Sequence, residues 1–411
     1  MNPTEKQLEL IRDRISAAKS REGSLYSKKY ADIDESTVTS AEAFRALPFT
    51  EKNELREGYP LGIQAVPDEE IVRIHSSSGT TGTPIIIPYT KKDVNDWTLM
   101  FARCYEMAGI TKLDRIHITP GYGLWTAGIG FQLGCEKLGA MAIPMGPGNT
   151  DKQIRMMIDM KSTVLCSTSS YALLLAEEIA KRGVGDKIRL KKGVIGSERW
   201  GDKMRARIAS ELGVELYDIY GLTEIYGPGI GINCCAEGPM HYWDDFIYLE
   251  IIDPKTGENV PDGQIGEIVI TTLKKEGAPL IRYRTHDLSR IVPEKCSCGS
   301  RFPRIDRIIG RSDDMVKVKG VNIYPGQVED VLKAIGGVSS EYQVMIDHLD
   351  GKDIMTLFFE TDEGYSPKEV EAAVGEEFKA KVGLKIVPKS VAIGELPRSE
   401  KKSTRIFDNR Y

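Results

Sequence analysis

The segment from Ser76 to Pro84 combines hydroxyl side chains with glycines and contains no charged or large residue. Glycines let a backbone approach a ligand closely, and backbone N–H groups with serine and threonine hydroxyls donate hydrogen bonds to phosphate oxygens. Strand-like patterns flank it at Ile71–His75 and Ile85–Pro88, so it joins two strands; it also lacks the Gly-Lys-Ser/Thr ending of a Walker A loop. We interpret it as a phosphate-binding loop, with a plain polar hairpin loop as the alternative.

Thiol and imidazole groups form the pattern of a tetrahedral metal site. Cys296 and Cys298 lie one residue apart in a tight turn, and Cys234, Cys235 and His241 lie upstream. Tetrahedral Zn²⁺ takes four sulfur or nitrogen ligands, often as two short pairs joined by a long loop. Three cysteines and the histidine would complete a closed site, so we predict structural rather than catalytic zinc. A set of inert cysteines is the alternative.

Two carboxylates have neighbours typical of a nucleotide site. Glu224 follows a predicted strand end, where α/β proteins bind ligands, and a carboxylate there suits the oxygen-seeking Mg²⁺. Asp287 ends the charged segment 282–287, and one carboxylate can accept both O–H bonds of a ribose diol. The alternatives are a capped turn with a solvated glutamate and a structural ion-pair network.

Aromatic side chains stand among glycines over 121–128, which reads Gly-Tyr-Gly-Leu-Trp-Thr-Ala-Gly. The small residues leave room for a flat ring beside Tyr122 and Trp125, and we predict an acyl pocket formed by these two residues and Gly128. Aromatic rings that fill the core between a sheet and a helix are the alternative.

These residues must be positioned by alternating helices and strands. Apolar residues recur every three or four positions from Val94 to Ala108, which predicts an amphipathic helix. Short buried strands are predicted at Met141–Pro144, Ser162–Ser167, Gly193–Gly196 and Glu215–Tyr220. The alternation of strand and helix favours a largely parallel sheet. Ile247–Asp253 and Glu267–Leu273 predict an antiparallel pair.

The pattern changes near residue 311, after a polar and charged segment. Further strands are predicted at Met315–Lys319, Gln343–Ile346, Ile354–Phe359 and Ile386–Ala392. A helix is expected over Gln327–Ile335 with Gly336 as its cap, and another begins after Ser366, with a capping box to Glu369. We therefore predict an α/β protein: a large N-terminal domain, 1–310, with mostly parallel sheets and an antiparallel subdomain, and a small α+β C-terminal domain, 311–411.

Composition narrows the classes of partner. The net charge of −5 argues against nucleic-acid binding. Apolar runs are too short to span a membrane, and the charged helical start is not a signal peptide. Seven mostly isolated cysteines fit a reducing compartment. We expect a cytoplasmic protein with neither nucleic acid nor membrane as partner, and the choice between monomer and homodimer stays open.

The motifs together resemble the phenylacetate–coenzyme A ligase family of the adenylate-forming superfamily, which also holds acyl-CoA synthetases, luciferases and peptide-synthetase adenylation domains. The matching stretches, in family order from about residue 70 to 410, are Ser76–Pro84, Tyr122–Trp125, Gly148–Thr150, Tyr220–Glu224, Tyr283–Asp287, Gly310–Asp314, Lys319–Pro325 and Pro397–Glu400. The resemblance implies two steps: a carboxylate, here aromatic, reacts with Mg·ATP to give acyl-AMP, and coenzyme A then takes the acyl group. A carrier-protein thiol or a deazaflavin cofactor as acceptor, and a degenerate nucleotide-binding regulator, are the alternatives.

The resemblance also assigns roles to individual residues. Glu224 binds Mg²⁺, Thr223 positions phosphate and Asp287 binds ribose. The other nucleotide-binding residues are Ser76, Ser77, Ser78, Gly79, Thr80, Thr81, Gly82, Thr83, Ser197, Glu198, Tyr220, Gly221 and Arg311, of which Tyr220, Ser197 and Glu198 lie near the adenine. Many relatives carry lysine at the position of Thr83, so this chain lacks a positive charge beside the phosphates.

Three further assignments come from the same resemblance. The small domain rotates about Asp313. Lys402 supplies the cation that adenylation needs, because negative charge builds on the α-phosphate and the leaving pyrophosphate. The family pattern Gly-Lys-Ala-Lys is Lys401-Lys402-Ser403-Thr404 here, so Lys401 is the alternative. Among the candidate zinc ligands, the resemblance favours Cys234 over Cys235.

Overall fold

The structure is a computed structural model that describes residues 2–77, 83–198, 200–235, 238–349, 352–398 and 405–410. The chain divides into two compact units. The first comprises Met1–Gly146, Ser162–Cys166 and Tyr217–Ile308, and the second comprises Pro147–Lys161, Ser167–Leu216 and Ile309–Tyr411. The division into domains 1–310 and 311–411 stays a prediction.

The helices within the described residues are α1 (Glu5–Ser20), α2 (Leu25–Lys29), α3 (Ala41–Arg45), α4 (Lys52–Glu57), α5 (Lys91–Met107), α6 (Thr126–Leu138), α7 (Thr150–Asp159), α8 (Ser169–Lys181), α9 (Asp202–Leu212), α10 (Pro325–Lys333) and α11 (Pro367–Val382). Short 3₁₀ turns lie at Glu35–Thr37, Asp68–Glu70 and Gly185–Lys187. No helix in this part of the chain has both the length and the apolar composition to cross a membrane.

The strands of the first half are β1 (Ile71–Ser76), β2 (Ile86–Thr90), β3 (Arg115–Ile118), β4 (Met141–Pro144), β5 (Val164–Thr168), β6 (Lys192–Gly196), β7 (Glu215–Leu222), β8 (Gly227–Asn233), β9 (Met240–Tyr242), β10 (Ile247–Ile252) and β11 (Gly266–Thr272). They are followed by β12 (Tyr283–Ser289), β13 (Ile291–Val292), β14 (Arg304–Ile305), β15 (Gly310–Arg311), β16 (Val316–Val318), β17 (Val321–Ile323), β18 (Val338–Leu349), β19 (Lys352–Thr361), β20 (Val387–Ala392) and β21 (Ile406–Asp408).

The first unit combines parallel and antiparallel strand pairs, as the sequence predicts. Strand β3 pairs in parallel with β4 and with β5. Antiparallel pairs join β7 to β8, β8 to β9, β9 to β14 and β14 to β13. Strands β10 and β11 form the predicted antiparallel pair, and β12, which was not predicted, pairs with β11 in the antiparallel sense.

Helix α5 packs its predicted apolar face into the first unit. Its N-cap, Thr90, forms a capping box with Asp93, and Trp97 and Phe101 are fully buried. A Cβ atom at Gly130 of α6 would lie 2.4 Å from Phe101 and 2.5 Å from Trp97. The two helices therefore approach so closely that only glycine fits at residue 130.

The C-terminal part of the second unit is α+β, as predicted. Its sheet has the order β20-β19-β18-β21, and apolar residues of α10 and α11 share one core with it. Two details of the prediction are wrong. Helix α10 ends at Lys333 with Ala334 as its C-cap, and the left-handed glycine is Gly337 rather than Gly336. Helix α11 begins at Pro367, but Ser366 makes no side-chain cap hydrogen bond, so the fixed φ of proline starts the helix without a capping box.

Candidate active site and metal cluster

The predicted phosphate loop joins two paired strands. Strands β1 and β2 are antiparallel, with Ser76 opposite Ile86, so the strand–loop–strand setting is confirmed. The N–H of Ser76 donates to the carbonyl of Leu124 over 2.8 Å, and Ser77 Oγ accepts from the N–H of Ile85 over 2.9 Å. Thr83 is exposed. Five predicted ligands, Ser78, Gly79, Thr80, Thr81 and Gly82, lie outside the described residues.

A buried histidine directly precedes this loop. His75 is 1% exposed, and its Nδ1 lies 3.2 Å from the carbonyl oxygen of Leu124. Its ring forms T-shaped pairs with two aromatic side chains, at centroid distances of 5.3 Å from Tyr89 and 5.5 Å from Trp97. Burial lowers the pKa of His75 from 6.5 to about 4. The imidazole is therefore neutral at physiological pH.

Tyr220 and Asp287, which are assigned to adenine and ribose, meet in the first unit. Tyr220 Oη donates to Asp287 Oδ2 over 2.8 Å, and both side chains are buried. Arg282 and Arg284, in the same segment, instead form the structural ion pairs that were the alternative, Arg282 with Glu250 and Arg284 with Glu267.

Gly221 takes part in the irregular pairing of β7 with β8. A Cβ atom at Gly221 would lie 2.0 Å from the carbonyl oxygen of Gly227. Only glycine therefore permits the close approach of the two strands beside Tyr220.

The turn after β7 places Thr223 and Glu224 beside different elements of the first unit. Thr223 Oγ1 lies 3.4 Å from Thr126 Oγ1, at the first residue of α6. Glu224 is 3% exposed, and its Oε1 lies 3.1 Å from Lys52 Nζ. This ion pair lacks hydrogen-bond geometry, and no other described group donates a hydrogen bond to that oxygen. A buried carboxylate oxygen with this free capacity fits a hard cation such as Mg²⁺.

A fully buried lysine, which the sequence analysis did not single out, lies behind this turn. Lys275 Nζ donates to the main-chain carbonyls of Glu224, over 3.4 Å, and of Ile225. It also lies 4.5 Å from the ring centroid of Tyr89 and 4.9 Å from that of Tyr226. Burial lowers the pKa of Lys275 to about 7.

Two of the three predicted acyl-pocket residues lie in contact. A Cβ atom at Gly128 would lie 2.8 Å from Cδ2 of Tyr122, so the tyrosine ring packs directly on the glycine. The Tyr122 hydroxyl has no hydrogen-bond partner among the described residues, and burial raises its pKa. Trp125 is the N-cap of α6 and is 46% exposed. The pocket itself stays a prediction.

The second unit holds the remaining predicted nucleotide and hinge residues. Ser197 follows β6 with a left-handed backbone, at φ 71°. Glu198 Oε2 accepts hydrogen bonds from Ser169 Oγ at 2.9 Å and from Ser170 N at 3.0 Å, so this carboxylate caps the N-terminus of α8.

The predicted hinge residue is paired with a predicted nucleotide ligand. The Arg311 guanidinium forms two hydrogen bonds of 2.8 Å with the carboxylate of Asp313. Lys401 and Lys402 lie outside the described residues. The roles of all these side chains stay predictions.

The predicted metal ligands converge. One ligand atom from each of Cys234, His241, Cys296 and Cys298 lies within 4.8 Å of every other. Cys234 Sγ is 3.4 Å from Cys296 Sγ, and Cys298 Sγ is 3.4 Å from His241 Nε2. Zinc–sulfur bonds of about 2.3 Å place tetrahedral ligand atoms about 3.8 Å apart, which fits this cluster. Cys235 is exposed and is not part of the group.

Hydrogen bonds orient the His241 ring and lower the pKa of Cys296, and both effects favour the binding of a cation. His241 Nδ1 lies 2.8 Å from the carbonyl oxygen of Phe302, which leaves Nε2 toward the sulfurs. Burial works to raise the pKa of Cys296, but hydrogen bonds from the Cys298 backbone and from His241 outweigh it and hold the pKa at about 6. Burial and the neighbouring sulfurs raise the pKa of Cys234. A bound cation would favour the thiolate form of all three cysteines.

Comparisons with known proteins cover nearly the whole chain. Residues 11–273 match the AMP-binding enzyme family, and residues 320–410 match the AMP-binding enzyme C-terminal domain. The phenylacetate-coenzyme A ligase of Pseudomonas putida is 40% identical over 400 residues, which cover 94% of this chain and 90% of that protein. The phenylacetate-coenzyme A ligase of Escherichia coli strain K12 is 38% identical over 398 residues, with coverage of 94% and 90%.

A solved structure supports the same relationship. The 2-hydroxyisobutyryl-CoA ligase in the postadenylation state, in complex with 2-HIB-AMP, superposes with a TM-score of 0.88 at 26% sequence identity. The match covers 98% of this chain and 89% of that chain. The resemblance carried by the sequence motifs is thus confirmed, and the chain belongs to the phenylacetate–coenzyme A ligase family of AMP-binding enzymes.

Proposed function

We infer that this chain is an AMP-forming acid–coenzyme A ligase. It activates a carboxylic acid with ATP as acyl-AMP, releases pyrophosphate and transfers the acyl group to coenzyme A. The observation that carries this inference is the 40% identity, over 94% of the chain, to a protein that bears this activity in its name. The hydrogen bond between Tyr220 and Asp287 and the burial of the Glu224 carboxylate support it.

The residues of the first unit have distinct tasks in the adenylation step. Asp287 accepts hydrogen bonds from the ribose hydroxyls, and Tyr220, fixed by its bond to Asp287, lies against the adenine. Thr223 donates its hydroxyl hydrogen to a phosphate oxygen. Glu224 holds Mg²⁺, which neutralises charge on the phosphates when it is bound. These groups act by positioning and by charge, the main terms in phosphoryl chemistry.

We assign the substrate to the aromatic carboxylates on the basis of Tyr122, Trp125 and Gly128. Exchange of labelled pyrophosphate into ATP, driven by a panel of carboxylates, tests both the reaction and the substrate class. We expect phenylacetate-like acids to drive exchange faster than short aliphatic acids. Exchange with no member of a broad panel would contradict the ligase reaction, and a preference for aliphatic acids would contradict the aromatic pocket.

Lys402 is our candidate for the cation that stabilises the pentavalent α-phosphate. Lys402→Ala should abolish acyl-AMP formation, whereas Lys401→Ala, the matched control one residue away, should keep it. Loss of exchange in Lys401→Ala with survival in Lys402→Ala would reverse the assignment.

We propose that Cys234, His241, Cys296 and Cys298 hold a structural zinc ion. These four side chains complete the tetrahedral coordination of the ion and leave no position for water or substrate, so the ion takes no part in the reaction. Elemental analysis of gently purified protein should find close to one equivalent of zinc per chain. Less than about half an equivalent would contradict a folding-linked site.

A further inference from the structure

The amine of Lys275 is enclosed by the first unit and forms no close ion pair among the described residues, although the charges of Asp93 and Glu224 act on it. The side chain is 0% exposed, and its hydrogen-bond acceptors are the main-chain carbonyls of Glu224 and Ile225. The rings of Tyr89 and Tyr226 cover it at 4.5 and 4.9 Å. Aromatic faces and carbonyl dipoles replace part of the lost hydration. An apolar side chain would fill this volume at less cost, so a buried amine here points to a task beyond filling space.

The segment that directly follows Lys275 is held by a single carboxylate. Asp93 Oδ1 accepts from the N–H of Glu276, and Asp93 Oδ2 accepts from the N–H of Gly277, both over 2.8 Å. A Cβ atom at Gly277 would lie 2.6 Å from the carbonyl oxygen of Pro88, so the segment cannot move toward β2. The base of the Lys275 side chain is therefore fixed relative to α5 and β2.

On its side-chain side, the same turn is held by groups that are more exposed than Lys275. Lys52, which pairs with the Glu224 carboxylate, is 33% exposed, and the hydroxyl contact from Thr223 to Thr126 is 3.4 Å long. Among these contacts, the buried ammonium is the one that holds the main chain of the turn. The direction of the Glu224 carboxylate thus depends on the two carbonyls that Lys275 holds.

We propose that Lys275 is a positioning residue for adenylation: by binding the carbonyls of Glu224 and Ile225, it holds the Glu224 carboxylate where Mg·ATP is bound. It does not touch the reacting atoms. This inference rests on the role proposed above for Glu224.

The test compares Lys275→Met with Lys274→Met in the full-length protein. Lys274 is adjacent in sequence, but its ammonium lies over Phe246 at 4.1 Å and 3.6 Å from Asp245. In pyrophosphate exchange, Lys275→Met should raise the Mg²⁺ concentration for half-maximal rate, or lower kcat, by about tenfold or more, as loss of an outer-shell partner does. The KM for the carboxylate should not change, and Lys274→Met should stay within about twofold of the original chain.

A double-mutant cycle with Glu224→Gln separates positioning from general stability. If Lys275 acts through Glu224, Lys275→Met should cost little more once the carboxylate is gone. Lys275→Gln keeps hydrogen-bond donors for the carbonyls and should recover part of the loss. Thermal unfolding of every variant reports whether the fold is intact.

Each outcome has one meaning. Additive effects of Glu224→Gln and Lys275→Met, or a Lys275→Met enzyme with unchanged Mg²⁺ dependence and kcat, overturn the positioning role. Failure of both Lys275→Met and Lys275→Gln to fold also overturns it, because the ammonium would then serve the fold. If Glu224→Gln alone has no effect, the role proposed for Glu224 is wrong; if the original chain catalyses no exchange, the proposed function is wrong.

Discussion

Tyr220 donates its hydroxyl hydrogen to Asp287 over 2.8 Å and thereby joins β7 to β12 in the interior of the first unit. This hydrogen bond holds the Asp287 carboxylate in place before any nucleotide is bound. Asp287→Asn should raise the KM for ATP by about tenfold or more, since hydrogen bonds to a charged group contribute about 1.5–3 kcal/mol. The KM for the carboxylate should not change. Tyr220→Phe should have a smaller effect in the same direction.

The control for this pair is Asp306→Asn. Asp306 forms a half-exposed ion pair with Arg290 over 2.9 Å and has no assigned role in the reaction. Steady-state kinetics with ATP as the varied substrate provide the measurement. Equal KM values for ATP in Asp287→Asn and Asp306→Asn would show that Asp287 does not bind the ribose.

The Lys52–Glu224 ion pair leads to a prediction on stability. Lys52→Met leaves a buried carboxylate without its cation, so the free energy of unfolding should fall; because Lys52 is 33% exposed, we expect about 1–2 kcal/mol rather than the full cost of breaking a buried pair. A divalent cation bound at Glu224 should restore part of the lost free energy of unfolding. Mg²⁺ should therefore raise the melting temperature of Lys52→Met more than that of the original chain.

Lys92→Met is the matched control for Lys52→Met. Lys92 pairs with Asp96 on one exposed face of α5, where ion pairs contribute little. Its melting temperature should not respond to Mg²⁺ differently from that of the original chain. The same Mg²⁺ response in all three proteins would contradict a cation site at Glu224.

The metal cluster predicts a difference between two adjacent cysteines. Cys234→Ser should lose zinc and melt at a lower temperature, because metal binding contributes to folding. Cys235→Ser should keep both the zinc and the melting temperature, since Cys235 lies outside the cluster. Elemental analysis and calorimetry of the two variants provide the comparison. Equal zinc contents would refute the choice of ligand.

Buried His75 predicts a pH dependence of stability. Its pKa in the folded chain, about 4, lies below the ordinary 6.5. Below pH 6.5 the unfolded chain binds the proton and the folded chain does not, so stability is complete above pH 6.5 and is lost as the pH falls toward 4. This difference in proton binding changes the free energy of unfolding by at most about 3 kcal/mol.

His75→Gln should remove this part of the pH dependence. Between about pH 7 and about pH 5, its melting temperature should fall less than that of the original chain. The exposed His348, which pairs with Asp353, is the control, and His348→Gln should follow the original chain. An unaltered pH dependence in His75→Gln would show that the ring binds its proton at the same pH in the folded and the unfolded chain.

Arg398 predicts a stability effect in the second unit. Its guanidinium lies 2.8 Å from Glu360 and 2.8 Å from Glu177, and Glu360 is fully buried. Arg398→Met leaves the Glu360 charge without its cation, so we expect a loss of about 3–5 kcal/mol in the free energy of unfolding. Arg182→Met, which breaks an exposed pair with Glu178, should change it by less than about 1 kcal/mol. Comparable urea midpoints for the two variants would contradict this difference.

The sequence allowed the local features of the site to be predicted, but not its distant contacts. The β1–β2 hairpin, the antiparallel pair β10–β11 and the cluster of three cysteines and one histidine each carry a short pattern of hydroxyl, apolar or thiol residues. Lys52 and Lys275 belong to no such pattern. A lysine beside other charged residues in the sequence is normally exposed to solvent, so neither of them stands out. Their importance arises only when the fold brings α4 and the segment after β11 to the turn at Glu224.

The two wrong helix details have a similar cause. Gly336 and Gly337 are neighbours, and composition alone does not say which of them takes the left-handed backbone. Ser366 and Glu369 have the spacing of a capping box, yet Pro367 already starts the helix without one. A local pattern predicts that a helix begins or ends in a short stretch of sequence. Which residue in that stretch caps the helix depends on the competition between neighbouring residues.

The short distance between Cys234 and Cys296 has a consequence for the behaviour of the protein in air. With sulfurs 3.4 Å apart, a chain stripped of its metal would expose a thiol pair that oxygen can convert into a disulfide. Such a bond would consume two of the three sulfurs, and zinc added later could not be captured. If the proposed zinc ion is lost in air, the cluster would therefore not bind zinc again until a reductant had cleaved the disulfide.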